Sequence, residues 1–170
     1  MNKRKVSVVM GSDSDLPVIK KCLSMLDKFG VPYDVHVISA HRTPAQAEQL
    51  AKGALEDGVG VIIAAAGKAA HLGGVLAAYT TLPVIGLPIK SSTMDGLDSL
   101  LSMVQMPKGI PVATVAIDGA ENAGILAVQM LALADAELMD KLTQFKADMA
   151  AEVQEKDRKL QQELGKLAQL

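Results

Sequence analysis

The feature that most constrains the fold is an uninterrupted apolar segment at residues 59–66, with the sequence VGVIIAAA. A strand with one solvated face alternates apolar and polar residues, whereas this segment has no polar side chain. It is also far shorter than the ~18 apolar residues of a membrane span. We therefore interpret it as a strand buried on both faces, which is typical of the centre of a parallel sheet.

Strand and helix signals alternate on both sides of this segment. Further strands are predicted at residues 6–10, 33–38, 84–87 and 112–117, and apolar residues at helical spacing predict helices that end near residues 29, 56, 79 and 105. Repeated alternation with short connections is typical of βαβ units. The predicted fold is α/β, a three-layer αβα arrangement around a doubly wound parallel sheet, similar to flavodoxin and Rossmann folds.

Residue types at the helix ends support the first two helices. Ser14 or Asp15 is expected to cap the first helix, and Gly30 is expected to end it. Thr43 is the candidate cap of the second helix, which begins at Pro44.

Polar segments follow the first three predicted strands. Their sequences are GSDSD at residues 11–15, SAHRTP at 39–44 and GKAAHLGG at 67–74. In open α/β sheets, ligands bind outside the carboxyl ends of the strands. We therefore expect these three segments to share one rim and to form one site.

The segment SAHRTP combines the groups needed for proton transfer on a phosphorylated metabolite. His41 can exchange a proton near neutral pH, and the forked guanidinium of Arg42 can bind a phosphate. The hydroxyls of Ser39 and Thr43 can complete the hydrogen bonds of that phosphate. The alternative is that the segment is only a polar turn between a strand and a helix.

Three other kinds of site do not fit the sequence. A P-loop needs a glycine at position 62 and Ser or Thr at position 69, where this chain has Ile62 and Ala69. A dinucleotide fingerprint needs two more glycines after Gly11, which are absent. The three histidines lack the i, i+4 spacing of a helical metal site, so no metal is predicted, and His36, inside a strand, is interpreted as structural.

Composition excludes several classes of protein. A net charge of −2 gives no electrostatic footprint for nucleic acid. The single cysteine, Cys22, excludes an intramolecular disulfide and a multi-cysteine metal site, and its helical spacing predicts a core position. No apolar signal region or membrane-span segment is present, so we expect a cytoplasmic protein that binds neither nucleic acid nor a membrane.

The last third of the chain predicts an oligomer. Residues 122–134 are apolar on almost every face, and a helix of this kind does not lie on a solvated surface. We expect residues 1–135 to form a catalytic α/β domain and residues 136–170 to form a helical extension that packs on a neighbouring subunit. The alternative is a charged terminal helix that is frayed past residue 155.

Four motifs, in this order, resemble one enzyme family. They are GSDSD at residues 11–15, SAHRTP at 39–44, AAHL at 69–72 and SLLSMVQMPKGIPVAT at 99–114. Together they resemble the N5-carboxyaminoimidazole ribonucleotide mutases, and the resemblance covers roughly residues 6–135.

The resemblance implies an isomerase of de novo purine (IMP) biosynthesis. Members of this family move a carboxylate from the exocyclic nitrogen of N5-carboxyaminoimidazole ribonucleotide to ring carbon C4, by decarboxylation and recarboxylation. The product is 4-carboxy-5-aminoimidazole ribonucleotide. The reaction uses no metal, ATP or organic cofactor, and the family forms homo-octamers.

The resemblance also implies the site residues. His41 is the expected acid/base, Arg42 and Ser39 hold the phosphate, and Asp15 binds the ribose hydroxyls. The remaining residues expected to bind or border the substrate are Ser12, Ser14, Ala66, Gly67 and His71.

The sequence departs from the family pattern in one turn and leaves alternatives open. The family turn often reads GAGGAAHLPG, whereas this chain has Ala65, Lys68 and Gly73 at three of those positions, and Lys68 either screens the carboxylate or faces solvent. A related branch uses free carbon dioxide and aminoimidazole ribonucleotide, but it tends to lack the AAHL motif. A non-catalytic nucleotide-binding module on the same fold gives His41 no necessary role.

Overall fold

The computed structural model describes residues 3–92 and 94–167. The strands are β1 (Lys5–Met10), β2 (Tyr33–Val37), β3 (Val59–Ala66), β4 (Val84–Pro88) and β5 (Ala113–Thr114). The helices are α1 (Leu16–Phe29), α2 (Pro44–Gly53), α3 (Leu72–Tyr79), α4 (Leu97–Val104), α5 (Ala120–Ala132) and α6 (Ala136–Leu167). The part of the predicted C-terminal helix at residues 168–170 lies outside the described residues.

The five strands form one parallel sheet in the order β2-β1-β3-β4-β5. The central strand is β3, and all of its residues except Gly60 are buried, as its apolar sequence predicts. Helices flank the sheet, so the predicted α/β fold is confirmed. The strand order reverses beside β1, which pairs with β2 on one side and β3 on the other, and such a switch point is where this type of sheet binds ligands.

The residues at the helix ends match the sequence predictions in part. Gly30 ends α1 with a left-handed φ of 70°, which glycine adopts without strain. Asp15 and Thr43 are the N-cap residues of α1 and α2, as predicted, but neither side chain makes a capping hydrogen bond. The Thr43 hydroxyl is instead engaged with the backbone of Ser39, donating to its carbonyl at 3.1 Å and accepting from its N–H at 3.0 Å.

Two elements are shorter than predicted. Helix α2 ends at Gly53, and a turn leads from it to Gly58, whose φ is 79°. Strand β5 has two residues of the predicted six, since it lies at the sheet edge and pairs with β4 only at Ala113 and Thr114. Beyond them the chain still follows β4, because the N–H of Asp118 donates to the carbonyl of Pro88 at 2.8 Å.

The core around the sheet is aliphatic. Its fully buried side chains include Val6, Val8, Val9, Ile62, Ile63, Ile85 and Leu87. Cys22 is buried on α1, as its spacing predicts, and burial raises the pKa of its thiol to about 12. A thiol in this state is a small core residue and not a nucleophile.

The chain divides into two compact units, residues 1–131 and 132–170. The first unit contains the sheet, and the second consists mainly of α6, whose surface carries ion pairs such as Glu137 with Lys141 at 2.8 Å. The packing of residues 136–170 on a neighbouring subunit stays a prediction. Within the described residues, no helix has the combination of length and apolar composition that crossing a membrane requires.

Candidate functional site

A cavity of about 660 Å³ lies at the carboxyl ends of the strands, beside the switch point between β1 and β3. Its volume is typical of a metabolite site. The lining residues follow β1 (Gly11, Ser12, Ser14, Asp15), β2 (Ser39, Ala40, His41, Arg42), β3 (Ala66, Gly67, Lys68, Ala69, Leu72) and β4 (Ile89, Lys90, Ser91, Ser92). The cavity therefore brings together all of the residues expected at the site except His71, which is bonded to one of them.

A pair of histidines forms one part of the site. Nε2 of His41, in the loop after β2, lies 3.0 Å from Nδ1 of His71, which directly precedes α3. Their ring centroids are 5.2 Å apart and the rings are nearly perpendicular, at 80°. A hydrogen bond between two ring nitrogens requires one to carry a proton and the other to accept it. The pair can therefore hold a proton at the edge of the cavity.

Arg42 is fixed by hydrogen bonds to two loops. Its Nε donates to the hydroxyl of Ser39 at 3.3 Å, and a terminal guanidinium nitrogen donates to the carbonyl of Gly11 at 3.3 Å. The backbone N–H of Arg42 also donates to the Ser39 hydroxyl, at 3.2 Å. These bonds place the fork at the end of β1, where it is oriented in advance for an oxyanion such as phosphate.

The loop after β1 contributes two hydroxyls and a carboxyl. Ser14 donates to the hydroxyl of Ser12 at 2.8 Å, so the two hydroxyls form one polar patch. Asp15 as a whole residue is only 8% exposed. Burial raises the pKa of Asp15, and the nearby carboxylates of Asp118 and Asp13 raise it further, against the hydrogen bonds from Ser14 and Ser12 that lower it. A desolvated carboxylate is a strong acceptor for hydroxyl groups.

The loop after β3 contains an unusual backbone conformation. Lys68 has a φ of 55°, in the left-handed region, which costs a residue with a Cβ about 1 to 2 kcal/mol. Its side chain is exposed and lines the cavity. The lysine therefore adds a cation to the rim in a conformation that favours glycine.

The loop after β4 was missed by the sequence analysis. Lys90, Ser91 and Ser92 line the cavity from this loop. The N–H of Lys90 donates to Asp118 at 2.9 Å, which ties the loop to the segment after β5. The signal was present in the sequence, because these polar residues also follow a predicted strand.

His36 lies outside this cavity. Its Nε2 is 3.1 Å from the carboxylate of Asp34, which also accepts from the Ser7 hydroxyl at 2.7 Å and pairs with Lys5 at 2.7 Å. This network ties β1 to β2 and fits the structural interpretation of His36. In the part of the chain that the structure describes, no cluster of three or more His, Cys, Asp or Glu residues could hold a metal ion.

Comparison with known proteins gives consistent matches along the chain. A family model described as AIR carboxylase matches residues 5–152. The N5-carboxyaminoimidazole ribonucleotide mutase of Pyrococcus horikoshii is 56% identical over 160 residues, which cover 94% of this chain and 90% of that protein. The mutase of Thermotoga maritima is 53% identical over 158 residues, covering 93% of this chain and 92% of that protein.

A solved structure has the same fold. The crystal structure of Treponema denticola PurE matches with a TM-score of 0.85 and 31% identity. The match covers 92% of this chain and 98% of that chain, so the shared fold includes nearly all of both.

Proposed function

Because the chain belongs to the AIR carboxylase family, we propose that it is an N5-carboxyaminoimidazole ribonucleotide mutase. It converts its substrate reversibly to 4-carboxy-5-aminoimidazole ribonucleotide in purine biosynthesis. One observation carries the proposal: a single cavity is lined both by His41, which with its bonded partner His71 can hold a proton, and by an arginine fork oriented for phosphate. These are the two kinds of group that proton transfer on a ribonucleotide requires.

His41 acts as acid and then as base. It gives a proton to the carbamate nitrogen, the C–N bond breaks, and carbon dioxide leaves behind an aminoimidazole whose C4 is nucleophilic. Carbon dioxide then adds to C4, and His41 removes the C4 proton to restore the aromatic ring. One proton is given and one is recovered, so the reaction needs no external acid or base. The hydrogen bond to His71 orients the ring of His41 and gives its Nε2 a partner that can either donate or accept a proton.

The other predicted residues bind the substrate. Arg42 and Ser39 hold the phosphate, Asp15 binds the ribose hydroxyls, and Ser12 also binds the substrate. Ser14 supports this binding through its bond to Ser12. The residues that border the base and the migrating carboxylate are Ala66, Gly67 and His71. A cavity that retains carbon dioxide makes its recapture effectively unimolecular.

The active form is a homo-octamer that works in the cytoplasm. The octamer follows from the family resemblance, and an exposed apolar stripe on α4 supports self-association. Leu97, Leu101 and Val104 lie at i, i+4 and i+7, on one face of the helix, and are 39%, 45% and 48% exposed. An exposed stripe of this kind is typical of a surface that packs on a partner.

A substitution of the acid/base tests the proposal. His41→Asn keeps a polar side chain but removes proton transfer, so turnover should fall by about 10²- to 10⁴-fold while ribonucleotide binding survives. Steady-state kinetics and calorimetric titration with the product separate the two effects. Undiminished turnover would remove His41 as the acid/base.

Arg42→Ala is the matched variant, and it should weaken ribonucleotide binding instead of removing proton transfer. Loss of a charged hydrogen-bonding partner costs about 1.5 to 3 kcal/mol, so ribonucleotide affinity should fall by roughly ten- to a hundredfold. Calorimetric titration with the product measures this affinity. Unaltered affinity would show that the phosphate is bound elsewhere.

A further inference from the structure

Lys68 has a backbone conformation that its side chain makes unfavourable. Its φ of 55° is left-handed, and a glycine would adopt this angle without strain. The backbone of the turn therefore does not require a lysine. Strained residues of this kind cluster at functional sites, where the strain is tolerated because the residue has a use. A reason for having lysine at this position must therefore lie in what its side chain does.

The charges in the cavity point to a use for this side chain. Among the described lining residues, the permanent cations are Arg42, Lys68 and Lys90, and the only carboxylate is that of Asp15. Arg42 is held by Ser39 and Gly11, and the ammonium of Lys90 lies 3.2 Å from the carboxylate of Asp95. The ammonium of Lys68 has no hydrogen bond or ion pair with any residue that the structure describes. It is therefore available to an anionic ligand.

The position of Lys68 indicates which part of the ligand it meets. It lies three residues before His71, whose ring is bonded to His41, so it belongs to the loop that carries one member of the histidine pair. The fork of Arg42 lies elsewhere on the rim, at the end of β1. A ribonucleotide that carries both a phosphate and a carboxylate presents two anionic groups. If Arg42 takes the phosphate, Lys68 is placed for the group that reacts beside the histidines.

We propose that Lys68 binds the migrating carboxylate and makes the site prefer carboxylated ribonucleotides over the decarboxylated one. This inference rests on the proposed function, because it takes the substrate from it. Lys68 is exposed, so the contribution of its ammonium is modest, and we expect a preference of about two- to fivefold. The preference falls with added salt, because salt screens an exposed pair.

Two ligands and three variants test the proposal. The ligands are 4-carboxy-5-aminoimidazole ribonucleotide and aminoimidazole ribonucleotide, which differ only in the carboxylate. Lys68→Gly and Lys68→Ala both remove the ammonium, whereas Lys68→Arg retains a cation. By calorimetric titration, the Gly and Ala variants should bind the carboxylated ligand about two- to fivefold more weakly and the other ligand as before. The Arg variant should bind both nearly as the wild type does.

The Gly and Ala variants also separate charge from backbone strain. Lys68→Gly relieves the strain and should raise the melting temperature by about 2 to 4 °C, whereas Lys68→Ala retains it. Affinity for the carboxylated ligand should fall equally in both variants. A purely structural role for Lys68 predicts instead that affinity follows the melting temperature.

Two results overturn the proposal. One is unchanged affinity for the carboxylated ligand in both the Gly and Ala variants, and the other is an equal loss for both ligands, which would place Lys68 at the phosphate. Turnover of N5-carboxyaminoimidazole ribonucleotide by the wild type is measured alongside. If the wild type neither turns it over nor binds either ligand, the proposed function itself is wrong.

Discussion

The ionised carboxylate of Asp15 favours ribonucleotide binding, but its burial lowers the stability of the folded protein. The residue is 8% exposed, and burial raises the pKa of its carboxyl above the ordinary value of 3.8. The folded protein therefore holds the proton more tightly than the unfolded chain does. As pH rises from 3.8 through the higher folded pKa, the free energy of unfolding falls, because the folded state must then contain a buried charge.

Asp15→Asn should make the protein more stable at neutral pH. The amide cannot ionise, so the variant lacks the loss of stability that the wild type suffers above 3.8, and the difference between them should shrink as pH approaches that value. The variant should also bind the ribonucleotide about tenfold more weakly, since an amide oxygen is a weaker acceptor than a carboxylate. Urea unfolding at neutral pH and near pH 3.8 measures the stability of both proteins, and calorimetric titration measures their affinity for the ribonucleotide. Lower stability of the variant at neutral pH would contradict this account.

The sequence could place residues at the rim, but it could not give contacts between them. His41 and His71 follow different strands, and parallel strands bring their carboxyl ends to one edge, so a shared site was predictable. Their 3.0 Å hydrogen bond depends on the conformations of two loops, which hydrophobic periodicity does not describe. The absence of a capping hydrogen bond from Thr43 has a similar cause, because its hydroxyl bonds instead to the backbone of Ser39.

Among the secondary-structure elements, the close packing of α5 on α1 depends on a glycine. A Cβ built on Gly124 lies 3.0 Å from the carbonyl oxygen of Cys22 and 3.1 Å from the Cβ of Met25. The carbonyl belongs to the backbone of α1 and cannot turn away as a flexible side chain can. The small residue therefore allows the two helices to lie close together.

Gly124→Ala should destabilise the protein by about 1 to 3 kcal/mol through overpacking. The gain of about 1 kcal/mol that alanine brings to a helix offsets part of this cost, so the net loss of stability should be up to about 2 kcal/mol. Gly73→Ala in α3 is the matched control, since its new Cβ would lie 3.5 Å from Val112 and 3.7 Å from Ala64, which are ordinary contacts. Urea unfolding measures both variants. A Gly124 variant as stable as the wild type would show that the helices can move apart at little cost.

Most elements were predictable from the sequence because apolar spacing follows burial. The central position of β3 followed from its continuous apolar residues, and α1 followed from its 3.6-residue period and from Gly30. The length of β5 was not predictable, because apolar residues at a sheet edge look like a strand whether or not their backbone pairs. Pairing at an edge depends on the neighbouring strand, which local sequence does not encode.

For the whole molecule, we expect an octamer whose subunit contacts depend on α4. Leu101→Glu places a charge in the exposed apolar stripe, and the native mass should fall below that of eight chains because burying the charge between subunits is unfavourable. Leu55→Glu is a control of the same residue type and similar exposure, 49% against 45%, outside α4. Analytical ultracentrifugation measures both. A wild-type protein that sediments as a monomer would refute the octamer, and an unchanged mass for Leu101→Glu would remove α4 from its contacts.

The central claim is that this cavity catalyses carboxylate migration. The most direct test is formation of 4-carboxy-5-aminoimidazole ribonucleotide by the purified protein, from N5-carboxyaminoimidazole ribonucleotide or from aminoimidazole ribonucleotide with bicarbonate. A mutase should form the product quickly from N5-carboxyaminoimidazole ribonucleotide. It should form little product from aminoimidazole ribonucleotide at low carbon dioxide. Efficient product formation from the second substrate alone would identify a carboxylase, and no product from either would leave a nucleotide-binding module without this activity.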